Sequence, residues 1–101
     1  MTTIETSKLT DVALDRAVAK CKGQTYHGPA WTKYSTDWAQ AGPIIEREEI
    51  NIGTVLCDGR FYWTATMRLS EAEGPTPLIA AMRCYVASKL GDEVNVPEEL
   101  K

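Results

Sequence analysis

The chain lacks most of the features that would announce an activity. Its only histidine, His27, lies beside the Gly28-Pro29 turn signal with no partner motif nearby, so His-assisted nucleophilic catalysis has little to build on. The three cysteines, Cys21, Cys57 and Cys84, are odd in number and widely spaced, without a C-x-x-C pair. That argues against a disulfide framework and against zinc. Each sits in an apolar context and is expected to be a plain buried thiol. There is no P-loop, no dinucleotide fingerprint and no cluster of metal ligands, so neither a cofactor nor a metal is expected. An excess of positive charge is missing too. With 11 Lys and Arg against 14 Asp and Glu, the net charge is −3, which argues against nucleic acid as a partner. No apolar run approaches the roughly 20 residues of a membrane span, and the polar start from Met1 to Lys8 has no signal-peptide core. The expected location is a cytoplasm, and an enzyme is the less favoured class.

What the chain does have is a hairpin. Asp58-Gly59 stands between two apolar, alternating runs, and a two-residue type I′ turn needs φ > 0 at both positions. Strands over about 50–56 and 61–67 then pair Cys57 with Arg60, Leu56 with Phe61, Thr54 with Trp63, Ile52 with Ala65 and Ile50 with Met67. Alternation puts Ile50, Ile52, Thr54, Leu56, Phe61, Trp63, Ala65 and Met67 on one face, built for burial. Arg60, Tyr62, Thr64, Thr66 and Arg68 belong to the polar face.

The cover for the apolar face must come from elsewhere. Thr10 is a good N-cap, and Leu14, Ala17, Val18 and Cys21 have helical spacing, which predicts a helix over about 10–22 closed at Gly23. Thr76-Pro77 opens the clearest helix, 77–90, with Leu78, Ile79, Ala81, Met82, Tyr85, Val86 and Leu90 apolar and Gly91 closing it. Burying Phe61 or Trp63 against it would contribute about 2–3 kcal/mol each. Between them, 37–48 reads as a middle helix either broken at Gly42-Pro43, with Pro43 opening a second piece, or kinked there. The broken form is preferred, since an interior proline loses a hydrogen bond and clashes one turn back. Ser70 to Pro75 reads as a polar loop, and a short extended segment near Ala30–Lys33 is the candidate third strand. The sum is one α+β domain over 1–101, with 1–8 and 97–101 as loose ends and an acidic tail over 92–101 in which Val94 and Val96 can still pack back before Pro97. A small sheet leaves an edge, which makes room for a homodimer.

The run Tyr34-Ser35-Thr36-Asp37-Trp38-Ala39-Gln40-Ala41-Gly42-Pro43-Ile44-Ile45-Glu46, then Trp63-Thr64-Ala65, Gly74-Pro75-Thr76-Pro77-Leu78, Ala81-Met82-Arg83 and Leu90-Gly91-Asp92-Glu93-Val94, resembles the NinX-like family of tailed-phage accessory proteins. The resemblance covers roughly residues 9–97. The middle also resembles a second small phage family, described as an α-β-α sandwich, in which a Tyr-Ser-Thr-Asp segment opens a helix. Both imply a small phage accessory protein in the cytoplasm of an infected bacterium, and neither brings an activity.

Seven of the eight aromatics are Trp or Tyr, residues enriched where proteins grip a partner. Trp38 and Trp63 are expected first as core anchors and Asp37 as a helix cap. Yet Tyr34, Asp37, Trp38, Gln40 and Arg47 fall in one compact segment, and Arg83, placed on the polar side of the last helix, could join them. Together they offer a stacking surface, a hydroxyl, an amide and guanidinium groups. That set suits a small anionic, nucleotide-type ligand, and it suits a protein hot spot equally. Three expectations follow. The first is a non-catalytic protein sequestering a nucleotide-type host defence signal. The second is an inhibitor or adaptor gripping a host protein through the polar hairpin face or an exposed Trp. The third is an accessory to phage recombination or replication, resting only on the resemblance.

Overall fold

The structure, a computed structural model, describes residues 2–23, 33–68 and 70–96. In chain order these form β1 (Thr2–Glu5), a 3-10 turn (Thr6–Lys8), α1 (Asp11–Cys21), α2 (Trp38–Arg47), β2 (Asn51–Cys57), β3 (Arg60–Met67), β4 (Ser70–Gly74), α3 (Pro77–Leu90) and β5 (Glu93–Val96). The architecture is α+β, as the patterning indicates. The segment near Ala30–Lys33 lies outside the described residues but for Lys33, which is not in a strand.

The hairpin has the register its turn dictates. Asp58 has φ 51° and Gly59 φ 77°, the two positive values of a type I′ turn. Pairing then runs from Cys57–Arg60 through Thr54–Trp63 to Asn51–Thr66. The third strand is β4, antiparallel to β3 from Met67–Ser70 to Trp63–Gly74, in the stretch expected as a loop. Its inward residues, Ser70, Ala72 and Gly74, are small because α3 passes directly over them. A Cβ on Gly74 would lie 2.7 Å from the Ala80 amide nitrogen, so only glycine permits the approach.

Helix α3 is the hub. Thr76 Oγ1 accepts from the Ile79 amide at 3.1 Å and Pro77 occupies the first turn, as its sequence indicates. Every residue from Leu78 to Val86 is buried. A helix apolar nearly all round is one surrounded by other elements, and here β3 and β4 lie on one side with α1 and α2 on others. Leu14, Val18, Ile44, Met82 and Tyr85 form the centre of the core. Helix α1 matches its expected span, with Thr10 at the N-cap position but without a side-chain cap bond.

Three further expectations are corrected. Residues 2–8, expected as a loose end, contribute β1, which pairs with β5 in the acidic tail (Ile4 with Val94), where Val94 packs back as its sequence allows. Thr6 Oγ1 ties the junction by donating to the Gly91 carbonyl at 2.6 Å. Helix α2 runs unbroken through Pro43. Pro43 and Ala39, whose carbonyl loses its helical partner, are both exposed, so water can take over that bond. Finally, α3 does not cover the far end of the hairpin: Phe61 is 74% exposed, Leu56 61% and Trp63 36%. The apolar face is buried at its base, where Ala65 and Ile50 sit, and bare at its tip.

Candidate functional site

The six residues singled out by sequence occupy different environments. Tyr34 is buried at 6% exposure, its hydroxyl accepting from Lys22 Nζ at 3.3 Å. Asp37 caps α2, its carboxylate accepting from the Ala39 amide at 2.9 Å, and Gln40 locks that turn by accepting from the Lys33 amide at 3.0 Å. Trp38 opens α2 one turn before Ala41 and Ile44 reach the core, so its indole is 53% exposed rather than an anchor. Arg47 closes the same helix, nine residues and about 13 Å away. It donates to Glu48 Oε2 at 3.0 Å and to the Tyr85 hydroxyl at 3.4 Å, and the Glu48 bond holds its guanidinium protonated more firmly than usual.

Arg83 is not on a polar face. It is 8% exposed, donating from Nε to the Leu9 carbonyl at 2.7 Å and from Nη1 to the Glu73 carbonyl at 2.8 Å. Burial pulls its pKa down, because a guanidinium in a low-dielectric site lacks full hydration. Its main role is a clamp between the start of α1 and β4. Trp38 and Arg47 thus stand at opposite ends of one helix, and Arg83 lies under the sheet edge.

A different group is brought together. Along the polar face of the sheet, Val55 pairs with Tyr62, Gly53 with Thr64 and Thr64 with Glu73, while Thr66 pairs with Glu71. With Arg60 at the tip, these residues line an open cleft of about 820 Å³, closed on one side by Pro75, Ser7 and the head of Arg83. Three hydroxyls form the floor and two carboxylates one wall, with one guanidinium at the far end and a second, that of Arg83, on the closing side. Such a surface donates and accepts hydrogen bonds along a polar chain and attracts positive charge to its glutamate side. It pairs no nucleophile with a base. Among the described residues no group of three His, Cys, Asp or Glu could hold a metal ion, and no helix is long and apolar enough to cross a membrane. The hairpin half of this cleft was legible in sequence as the polar face. The glutamate wall was missed with β4, although Glu71 and Glu73 alternate with small residues as a strand would.

The family described as Bacteriophage P22, NinX, matches residues 26–89, from ahead of α2 to the end of α3. The chain belongs to this family. The match spans both the cleft strands and Trp38, and it makes this NinX-family chain a phage accessory protein in the coarse sense. No curated protein matches it.

Proposed function

We propose that this NinX-family protein is a non-catalytic accessory factor that captures a host protein, holding a polar segment bearing Lys or Arg in the cleft on the β2–β3–β4 face. The observation that carries the reading is the convergence of Arg60, Tyr62, Thr64 and Thr66 with Glu71 and Glu73 on one concave surface. Its size is that of a site for a few peptide residues, and its wall carries two negative charges without a cation paired to either at close range among the described residues. Capture of a nucleotide-type signal asks for a stacking ring and a guanidinium within one ligand's reach. Trp38 and Arg47, the pair singled out by sequence, are too far apart for that, and Arg47 is already engaged by Glu48. Tyr62 and Arg60 do share the cleft, but beside two carboxylates that repel an anion. The protein reading therefore has the better support.

The test is retention from a bacterial lysate on immobilised wild-type protein against the Glu71→Lys, Glu73→Lys double variant. A host protein held by the first and released by the second is the expected result. Equal retention on both, or none on either, defeats the reading. A calorimetric titration with cyclic and ADP-ribose-type nucleotides runs beside it, and heat of binding there would favour the nucleotide alternative.

A further inference from the structure

The two edges of the three-stranded sheet are treated differently. Strand β4 is five residues long, carries Glu71 and Glu73, and is flanked by the 3-10 turn. Strand β2 is the opposite edge, and among the described residues only β3 pairs with it. Its seven residues, Asn51-Ile52-Gly53-Thr54-Val55-Leu56-Cys57, include no charge and no proline, and its ladder with β3 runs without a bulge. Charge, proline, a bulge and shortness are the devices that keep an edge from pairing with another chain. β2 has none of them.

We propose that β2 pairs antiparallel with β2 of a second copy, on a two-fold axis through Thr54, joining two sheets into one of six strands. The backbone phase favours this register. A two-residue turn makes Cys57–Arg60 a hydrogen-bonded pair, so the N–H and C=O groups of Ile52, Thr54 and Leu56 point outward. Centring on Thr54 sets Ile52 against Leu56 of the second copy and Thr54 against itself, so all of those groups are bonded at once. Gly53 meets Val55, a small residue against a branched one. Neither seam strand carries charge, so self-pairing brings no like charges together. The axis is normal to the sheet, so apolar face continues into apolar face. Phe61 and Leu56, bare in one copy, then run into the row of Ile52 and Ala65 of the other, and the two Trp63 flank the threonine pair. Leu56, Phe61 and Trp63 expose roughly 400 Å² per copy. Of these, Leu56 meets the second copy directly at the seam, with Phe61 and Trp63 backing it from β3, and the seven-residue main-chain edge carries the rest of the contact. The cleft lies on the other face and stays open, so the dimer would present two.

Sedimentation across a concentration series, for the wild type and for Thr54→Lys, tests this. Thr54 is exposed, and the lysine leaves the monomer's contacts intact while setting two positive charges face to face. Dimer for the wild type, and self-association weakened at least about tenfold in the variant, is the expected result. Thr54→Cys is the second arm. The paired Cα atoms would stand about 5.5 Å apart, within disulfide range, so mild oxidation should give a covalent dimer that the wild type does not form. A wild type that stays monomeric at every concentration, together with a Thr54→Cys variant that does not cross-link, overturns the proposal. A dimer indifferent to Thr54→Lys overturns it as well.

Discussion

The two ends of the β2–β3 hairpin carry the same alternation, yet only one is a core. At the base, Ile50 and Ala65 are buried with Ile52 and Met67 packed against them; at the tip, Leu56 and Phe61 stand mostly in solvent. Strand periodicity decides which face a side chain takes. It does not decide how far along the strand a cover reaches. Here α3 packs chiefly on β4 and β3, and its 14 residues, about 21 Å, do not extend over the end of β2. One part of the pattern stabilises the fold, and the other stands in solvent.

If the base is the core, truncation there must be expensive. Met82→Ala, at a fully buried position on α3, should cost about 2–5 kcal/mol in urea unfolding. A loss below about 1 kcal/mol would mean that α3 is not the hub. Next in size is Gly74→Ala. Its new methyl would press on the Ala80 main chain at 2.7 Å, and overpacking of this kind costs about 1–3 kcal/mol. A variant as stable as the wild type would show that β4 is free to move away from α3.

Local signals made much of this legible in the sequence. Asp58-Gly59 dictates its own turn and hence seven pairs, and Thr76-Pro77 with Gly91 brackets α3 within its own residues. What escaped depends on pairing across the chain. β1 and β5 are four residues each and about ninety apart, too short to stand out except through each other. In β4 the inward residues are small where a strand is expected to show large apolar ones, because a helix occupies their space. Arg83 looked like a surface cation since its partners, the carbonyls of Leu9 and Glu73, are main-chain groups that no side-chain pattern announces. The polar face of the hairpin was readable as a surface; that β4 adds an acidic wall to it was not.

The base also carries an alkaline sensitivity. Burial pushes the Cys21 thiol from its ordinary 9.0 up to about 11, against the opposing pull of Lys89 and Lys20, and burial likewise raises Cys84 and Tyr85. In each case the native pKa lies above the unfolded one, so the native state holds the proton more tightly. Stability is therefore full below about pH 9 and declines as pH rises through 11. Urea midpoints at pH 8 and pH 10.5 should show the fall, with a smaller fall in Cys21→Ala. A midpoint that rises over that interval would contradict the burial of these groups.

The smallest effect is expected at the tip, and it divides the hairpin most sharply. Phe61→Ala removes the most exposed of the large apolar side chains, which touches little in one copy, so at high dilution the unfolding free energy should change by no more than about 0.5 kcal/mol. The same substitution removes the ring that backs Leu56, the side chain that would meet a second copy at the seam. Its cost should therefore grow with protein concentration, because a ligand that binds only the native state, including another copy, adds to apparent stability by mass action. A Phe61→Ala penalty above about 2 kcal/mol in dilute solution would make the tip part of the core after all. A penalty that is negligible at every concentration would leave the tip bare for some other purpose, with the base alone accounting for the fold.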